Sequence, residues 1–329
     1  MKIFIYFTTF FFAIMTQVCF SQNLIAVQNG SSTSFYTSLN LAFDSANPGD
    51  TVYIPSGPFL AADISKRLHI IGIGHNPDSA AATGISVITG DLLLYQGASG
   101  GTLTGVKCNK IILFDTISNY SVRRCNIEYF EQYSSLNTYM VQNCFFIENI
   151  VRNQYLTYYT KNNFISNNIF VGYVYIGRNN TIRNNIFMEE TNSINTVYST
   201  IENNIFLSPA NNPNFYFNIV SNNLFVQNID PSFGENIFHN NFMNIPHSSI
   251  FVNQMGYDFN YSHNYHLQPS CVGKGAGIDG TDIGIYGGAF PWKDGSVPFN
   301  PHFLFLQNTH TTDSIGNLHI NIKVAAQDR

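Results

Sequence analysis

The stretch "TIRNNIFMEE" at residues 181–190 has near-copies on both sides of it in the chain. "FISNNIFVGY" begins at Phe164, "TIENNIFLSP" at Thr200 and "IVSNNLFVQN" at Ile219. Each copy contains an Asn-Asn pair followed by an aliphatic residue and Phe, and the copies recur about every nineteen residues. Self-similarity at a short, nearly fixed period is the sequence signature of a solenoid, in which each repeat packs against its neighbours.

Alignment of the copies over a longer region gives three columns of residues. An apolar column contains Val122, Val141, Ile165, Ile182, Ile201, Val220 and Phe238. Three residues later stand Cys125, Cys144, Asn168, Asn185, Asn204, Asn223 and Asn241. Two residues further on is a bulky column of Ile127, Phe146, Phe170, Phe187, Phe206, Phe225 and Met243. We expect each column to form a ladder along the solenoid axis.

The residue types indicate a β-solenoid. Short apolar runs rich in Ile, Val, Phe and Tyr alternate with Asn, Ser and Gly, a pattern typical of strands and turns. A unit near nineteen residues suits one coil of a parallel β-helix, with three short strands and three corners, stacked at roughly 4.8 Å. Asn tolerates the left-handed backbone of a corner, and its amide both donates and accepts hydrogen bonds. We therefore expect Asn to bond Asn, and Phe to stack on Phe, between coils.

The sequences at both ends of the repeat region predict elements that cover the otherwise exposed ends of the solenoid. Residues 34–59 begin with a serine cap and place four apolar residues at helical spacing before Pro48-Gly49, with a strand at Thr51–Ile54. The apolar residues of this predicted capping helix are Leu39, Ala42, Phe43 and Ala46. Near the other end, Phe303–Leu306 and the strictly alternating stretch 317–326 predict a closing β-hairpin that covers an exposed sheet edge.

The N-terminus predicts export. An apolar run from Ile3 to about Met15 follows one basic residue, and small residues precede Gln22, so we expect a signal peptide at 1–21 that is cleaved after Ser21. The run is shorter than the roughly 18 residues of a membrane span. The expected organisation is this signal peptide, a β-helix with its N-terminal cap at 22–300, and a hairpin tail at 301–329. The mature chain is expected without a membrane span, and secreted, on the cell surface or in the periplasm.

The charge pattern argues against nucleic acid as a partner. Charged residues make up 11% of the chain, against roughly 25% in a typical globular protein. The net charge is −5 and there is no basic run, whereas phosphate neutralisation needs clustered Lys and Arg. Asn replaces the missing charge, with 26 among the 102 residues from 143 to 244. Arg183 and Glu202, on adjacent copies, predict a surface ion pair.

Cysteine usage leaves two alternatives. The predicted mature chain contains Cys108, Cys125, Cys144 and Cys271, which is too few for a disulfide scaffold and has no close spacing typical of a zinc site. Cys125 and Cys144 either stack as interior side chains or form a disulfide between neighbouring coils.

Two further stretches resemble a known family. "PGDTVYIPSG" (48–57) and "LHIIGIG" (68–74) resemble the opening of secreted right-handed parallel β-helix proteins of the pectin-lyase-like superfamily. "YHLQPSCVGKGAGIDGTDIGIYGG" (265–288) is similar to the terminal coil common in such proteins from Bacteroidetes-type bacteria. The resemblance covers residues from about 25 to 300. It implies an all-β, single-stranded right-handed parallel β-helix, but no single function, because the superfamily includes lyases, hydrolases, epimerases and adhesins.

The motifs of the superfamily's enzymes are not evident. Glycoside hydrolysis uses a pair of carboxyl groups, yet the chain has no Asp-Asp dipeptide, and Asp230 is the only Asp between Asp115 and Asp258. Adjacent Glu189 and Glu190 would point to opposite sides of an extended strand. We therefore predict no metal site and no cofactor. Calcium stays open as the one alternative, at the Asp279 to Asp282 turn, because calcium takes several oxygen ligands.

Other side chains offer weaker signals for a ligand. Six basic residues could meet an anionic polymer, although no spacing selects a catalytic base: Arg123, Arg124, Arg152, Lys161, Arg178 and Arg183. Five tyrosines on two consecutive coils form a candidate carbohydrate-binding face, since exposed rings stack on sugars. They are Tyr155, Tyr158, Tyr159, Tyr173 and Tyr175. Trp292 is expected to pack rather than to bind sugar.

The sequence thus supports two functions. The first is a non-catalytic exported protein that binds polysaccharide, a cell-surface glycan or another surface partner. The alternative is a polysaccharide-active lyase or glycoside hydrolase whose catalytic residues the sequence does not identify. Convergence of three or more charged side chains on one groove would separate the two, because a lyase or hydrolase needs such a cluster.

Overall fold

The computed structural model describes residues 23–133, 140–155, 160–190, 194–209, 214–309 and 311–326. Within them the chain forms an all-β parallel solenoid of about nine turns, which confirms the predicted fold at that level. The predicted signal peptide lies outside the described residues.

The strands, numbered in chain order, have the following bounds. They are β1 (Ile25–Asn29), β2 (Ser32–Tyr36), β3 (Thr51–Tyr53), β4 (Gly57–Leu60), β5 (His69–Ile71), β6 (Ser86–Leu94), β7 (Thr102–Thr104), β8 (Lys107–Leu113), β9 (Ile117–Ser118), β10 (Ser121–Arg123), β11 (Asn126–Gln132), β12 (Val141–Gln142), β13 (Phe145–Ile147), β14 (Ile150–Tyr155), β15 (Thr160–Lys161), β16 (Phe164–Ser166), β17 (Ile169–Phe170), β18 (Val174–Arg178), β19 (Thr181–Arg183), β20 (Ile186–Phe187), β21 (Ile194–Val197), β22 (Thr200–Glu202), β23 (Ile205–Phe206), β24 (Asn214–Tyr216), β25 (Ile219–Ser221), β26 (Leu224–Phe225), β27 (Ile237–His239), β28 (Phe251–Asn253), β29 (Asn264–Leu267), β30 (His302–Asn308) and β31 (Ile320–Ala325).

The strands of successive coils stack into three runs along the axis. The first sheet has the order β2-β1-β3-β5-β7-β10-β13-β16-β19-β22-β25-β27. The second sheet has the order β4-β6-β8-β11-β14-β17-β20-β23-β26, and a third run, β9-β12-β15-β18-β21-β24, joins it through the β14–β18 pairing. Only β1, β2 and β3 pair antiparallel in the first sheet, at its N-terminal end.

The N-terminal helix lies where the core would otherwise open. Helix α1 spans Leu39–Ser45, and Leu39, Ala42 and Phe43 are buried in the solenoid core. Its cap is Ser38, whose hydroxyl accepts a hydrogen bond from the Leu41 amide at 3.3 Å. The stretch before it belongs to β2, so the cap stands a few residues later than the start of the predicted helical stretch.

The Asn column forms a continuous chain of side-chain hydrogen bonds. Each amide nitrogen donates to the amide oxygen of the next coil at 3.0 Å, and the residues involved are Asn149, Asn168, Asn185, Asn204, Asn223 and Asn241. Beside it the rings of Phe170, Phe187, Phe206 and Phe225 stack with centroids 4.7–5.1 Å apart. These two columns run through the interior of the coil, where polar groups need partners and rings bury their faces.

One early copy in the predicted alignment is shifted. Val122 pairs with Phe146, and Phe146 pairs with Ile165, whereas Val141 lies in the third run. In the interior columns, Asn149 and Val151 therefore take the places predicted for Cys144 and Phe146. The reason is that each coil has two corners with a similar pattern, and the sequence around Asn143-Cys144 matches the wrong one.

The register also decides between the cysteine alternatives. Cys125 and Cys144 are both buried and both free, so the disulfide alternative is wrong. They lie at different corners: the Cys125 amide donates to Asn149 and the Cys144 amide to Asn163. The second corner has a ladder of its own, which the sequence alignment did not reveal. It contains Asn163, Asn180, Ser199, Asn218 and Asn236.

The chain then turns back along the outside of the solenoid. After the β28–β29 hairpin, residues 273–301, here called the strap, meet the coils in reverse order. The strap carbonyls of Ala276, Gly284 and Val297 accept hydrogen bonds from Asn222, Asn184 and Arg124, respectively. The stretch 265–288 is therefore not the terminal coil that the sequence predicted. It is rich in Gly and turns, and it lies antiparallel to the growth of the solenoid.

A second apolar core lies between the strap and the outer face of the second sheet. On the sheet it contains the outward side chains of Ile150, Ile169, Ile186, Ile205 and Leu224. The strap and its hairpin contribute Phe251, Leu267, Ile283, Ile285 and Trp292. Trp292, which is 9% exposed, packs as the sequence led us to expect.

The repeated Asn-Asn-Ile-Phe motif is therefore four residues with four different environments. Asn184 has a left-handed backbone with φ 54° and reaches the strap. Asn185 continues the interior ladder. Ile186 enters the second core, and Phe187 joins the stack inside the coil. Alternation along a short strand sends these last two side chains to opposite faces.

The C-terminal hairpin forms from the predicted residues, but it lies at the N-terminal end of the solenoid instead of the C-terminal end. Strands β30 and β31 pair antiparallel, with Leu306 opposite Ile322. The strap brings them back to the first coils, where Phe303 lines a cleft of about 510 Å³ together with Leu24, Tyr53 and Ile71. The hairpin therefore does not cover the last coil.

Candidate functional site

A charged groove lies on the outer face of the second sheet, before the part that the strap covers. Its volume is about 620 Å³. It crosses strands β6, β8, β11 and β14, and a loop between β28 and β29 closes one side. Its polar lining consists of Thr89, Lys107, Asn109, Asn126, Glu128, Arg152 and Tyr261.

The register of the strands brings these side chains together. Lys107 pairs with Asn126 across β8 and β11. Ile127 pairs with Val151, so Glu128 and Arg152, the residues that follow each of them, lie side by side. Cys108, Ile127 and Val151 point inward and are buried. The alternation of the strands therefore leaves their polar neighbours on the outer face.

Arg152 is held between two carboxylates. Its Nε atom lies 3.3 Å from Glu128 Oε2, and its Nη1 atom lies 2.7 Å from Asp258 Oδ1. Asp258 comes from the loop between β28 and β29, so the ion pair joins that loop to the sheet. Two partners on one guanidinium fix its plane and its direction.

Lys107 is the exposed cation of the groove. Its side chain makes no ion pair with another residue in the part of the chain that the structure describes. By contrast, Lys110, on the same strand, lies 2.8 Å from Glu131. Lys107 is therefore the cation that an anionic ligand could reach without breaking an existing ion pair.

Tyr261 anchors the loop to the floor of the groove. Its hydroxyl accepts hydrogen bonds from Asn126 Nδ2 at 2.9 Å and His75 Nδ1 at 2.8 Å, and donates to the His75 carbonyl at 3.0 Å. This pattern assigns the His75 proton to Nδ1. Burial raises the pKa of Tyr261, although the Asn126 hydrogen bond opposes the rise.

His75, beneath Tyr261, is fully buried and uncharged. Burial lowers its pKa from 6.5 to about 3, and the positive charge of Lys107 adds to this effect. Its Nε2 atom is buried and has no hydrogen-bond partner within the described residues. A neutral ring here supports the Tyr261 hydroxyl without adding charge to the groove.

The predicted tyrosine face is only partly described. Tyr158 and Tyr159 lie outside the described residues. Tyr155 and Tyr175 pair across β14 and β18, while Tyr173 precedes β18, and both Tyr173 and Tyr175 are half-buried. Tyr155 is on the same strand, β14, as Arg152. Its role in binding stays a prediction.

The carboxylates proposed for calcium have cationic partners. Asp279 lies 3.3 Å from Arg183 Nη2, and Asp282 lies 2.8 Å from Lys274 Nζ. Arg183 also makes the ion pair with Glu202, at 3.7 Å. Among the described residues, no three His, Cys, Asp or Glu side chains form a cluster that could hold a metal ion.

The groove contains residues that the sequence did not single out. Lys107, Asn109, Asn126 and Tyr261 were not predicted, and Arg152 was one of six unsorted basic residues. The sequence could have revealed the groove because charged residues are rare in this chain. That inference also needs the correct register between β8, β11 and β14, which shows that the charged side chains are neighbours. Three charged side chains line this groove, which is the number expected for a lyase or hydrolase, but two of them, Glu128 and Arg152, pair with each other. Lys107 alone makes no ion pair among the described residues.

Comparisons with known proteins identify no relative of this chain. A scan against protein-family models, a search of curated proteins and a search of solved structures each found no match. No helix among the described residues is long and apolar enough to cross a membrane.

Proposed function

We propose that this is an exported β-helix protein that binds an acidic carbohydrate chain in the charged groove. The observation that carries the proposal is the convergence of Lys107 and Arg152 with Asn109, Asn126 and Tyr261 on the outer face of neighbouring coils. Cations recognise the carboxylate of a uronate, while the exposed Asn109 amide can hydrogen-bond a sugar hydroxyl.

The groove suits such a ligand in two ways. Arg152 is already fixed by Glu128 and Asp258, so less side-chain freedom is lost when a ligand binds. Lys107 makes no ion pair among the described residues and is exposed, so its charge is accessible. The lining crosses several coils, which matches an extended chain better than a compact ligand.

The family and the location belong to this proposal as well. The runs at 48–57 and 68–74 support a right-handed, pectin-lyase-like β-helix of Bacteroidetes type. The apolar run near the N-terminus supports a cleaved signal peptide and a secreted or surface location.

The test measures binding of oligouronates to the purified mature protein by titration calorimetry. We expect Lys107→Ala and Arg152→Ala each to weaken binding about tenfold, since a hydrogen bond to a charged group contributes roughly 1.5–3 kcal/mol. Lys323→Ala, at an exposed lysine of β31, is the matched control and should bind like wild type. Unchanged affinity in both groove variants would refute the assignment.

A second candidate is a polysaccharide-active enzyme at the same groove. The observation in its favour is that Lys107 and Glu128, two groups able to exchange a proton, line one groove. Formation of unsaturated products or of reducing ends during incubation with uronate and neutral polysaccharides would establish it. Loss of that activity in Glu128→Gln, with binding retained, would place the chemistry at Glu128.

A further inference from the structure

One corner of the solenoid has a left-handed backbone in successive coils. This corner lies between a strand of the third run and the next strand of the first sheet, as Asn119 does between β9 and β10. Its left-handed residues are Asn119, Asn143, Asn162, Asn179, Tyr198, Phe217 and Glu235. The first four are Asn, the residue other than Gly that adopts this conformation most readily. Tyr198, Phe217 and Glu235 depart from that rule, and the first two are aromatic residues whose rings stack on each other.

The backbone of these two aromatic residues adopts a left-handed conformation that is unfavourable for bulky side chains. Their φ angles are 51° and 58°, and a bulky residue in this region costs of order 1–3 kcal/mol. Burial does not offset the strain, because Tyr198 is 54% exposed and Phe217 is 44% exposed. Their rings stack at 5.1 Å and 14°, which contributes only about 0.5–1.5 kcal/mol. Asn at both positions would suit the backbone better.

We propose that Tyr198 and Phe217 form a binding site for a polysaccharide, in which a pyranose ring stacks on the outer face of Tyr198. Phe217 covers one face of the Tyr198 ring. The preceding coil presents Asn179, whose side chain is short and exposed, so the other face is accessible. A pyranose ring is close to an aromatic ring in thickness and would extend the stack by one coil.

The surroundings favour a sugar over an apolar partner. In line with the Tyr198 ring, Asn162 and Asn179 expose their amides at the corners of the two preceding coils. Thr181 and Thr200 are half-buried next to the same corner on β19 and β22. Apolar C–H groups of a sugar meet the ring, and its hydroxyls meet amides and hydroxyls. This site does not depend on the charged groove, which lies on the second sheet.

Native gels that contain soluble polysaccharides test the proposal, with hydroxyethylcellulose, galactomannan and polygalacturonate in separate gels. We expect wild type to be retarded by at least one of them, and Tyr198→Phe to retain that retardation. Tyr198→Asn should lose it, with at least a tenfold weaker apparent affinity, while its Tm stays equal or rises.

The Tm measurement distinguishes a loss of polysaccharide binding from a loss of folded structure. Asn is the residue type at this corner in four other coils, so loss of retardation in Tyr198→Asn cannot be attributed to unfolding when its Tm is retained. A lower Tm together with unchanged retardation would overturn the proposal and make the stacked pair structural. Absence of retardation of wild type in every gel would also overturn it. Lys107→Ala should behave like wild type in the two neutral gels, hydroxyethylcellulose and galactomannan, which distinguishes this site from the groove.

Discussion

The side chains of Asn184 and Asn185 bind on opposite sides of the solenoid wall. Asn184 Nδ2 donates to the Gly284 carbonyl of the strap at 3.1 Å, whereas Asn185 Nδ2 donates to Asn204 Oδ1 inside the coil at 3.0 Å. One Asn therefore holds the outer segment and the next one holds the stack of coils. Both are fully buried, so each depends on the partner that its own side supplies.

Loss of one interior ladder residue should destabilise the whole domain. In Asn185→Ala, the Asn168 amide and the Arg183 carbonyl lose their side-chain partner in a buried environment. Each unsatisfied buried group costs about 1–3 kcal/mol, so we expect unfolding free energy to fall by about 2–5 kcal/mol in urea titrations. Asn321→Ala, on the exposed β31, is the control and should change stability little. A loss below about 0.5 kcal/mol for Asn185→Ala would contradict the ladder's role.

Loss of a strap contact should act locally. Asn184→Gly keeps the left-handed backbone but removes the hydrogen bond to Gly284. We expect a global loss of only about 1 kcal/mol, with faster hydrogen exchange in strap peptides that contain residues 276–290. Asn119→Gly is matched, because Asn119 has the same backbone (φ 55°) but lies at the other corner. Unchanged exchange in the strap of Asn184→Gly would show that this contact does not hold it.

The buried ion pair under the strap should matter more than an exposed one. Arg124 Nε lies 3.0 Å from Glu148 Oε2, and the Arg124 guanidinium also lies 3.9 Å from the Phe299 ring centre. Glu148→Gln leaves a buried cation without its anion, so we expect a loss of about 3–5 kcal/mol. Glu131→Gln, at the partly exposed pair with Lys110, should cost below about 1 kcal/mol. Equal losses in the two variants, measured by denaturant unfolding, would refute this ranking.

The buried His75 should make the fold sensitive to acid. Its folded pKa of about 3 lies below the ordinary 6.5, so the unfolded chain binds the proton more tightly between these values. The stabilisation is complete above about pH 6.5 and is lost as pH falls towards 3, by up to about 1.4 kcal/mol per pH unit. His75→Gln should show a shallower decline of unfolding free energy with acidification. Identical pH slopes would mean that His75 does not carry this dependence.

Periodicity revealed the parts of the fold that every coil repeats. The Asn column at Asn185 and the Phe column at Phe187 recur because identical side chains on successive coils bond or stack with one another. Each such contact leaves a regular mark in the sequence. The same regularity misled the alignment at Asn143-Cys144, where a second corner with its own ladder looks much like the first.

The strap and the groove leave no such mark. Asn184 finds its partner in the Gly284 carbonyl, a backbone group, and a carbonyl gives no sequence signal. In the groove, Arg152 meets Asp258 from a distant loop, and Tyr261 joins Asn126 and His75. These contacts occur once each, so neither period nor spacing predicts them. They depend on how the chain returns along the solenoid after the last coil.

The most direct test of the central functional claim compares one oligouronate with the same oligosaccharide after its carboxylates have been reduced to alcohols. The two ligands share shape and linkage and differ in charge alone. We predict that titration calorimetry of the wild-type protein gives at least a tenfold lower affinity for the reduced form, because Lys107 loses its anionic partner and the Arg152 guanidinium loses the ligand carboxylate. Equal affinity for the two ligands, or no binding of either, would contradict the assignment of the groove to acidic carbohydrate.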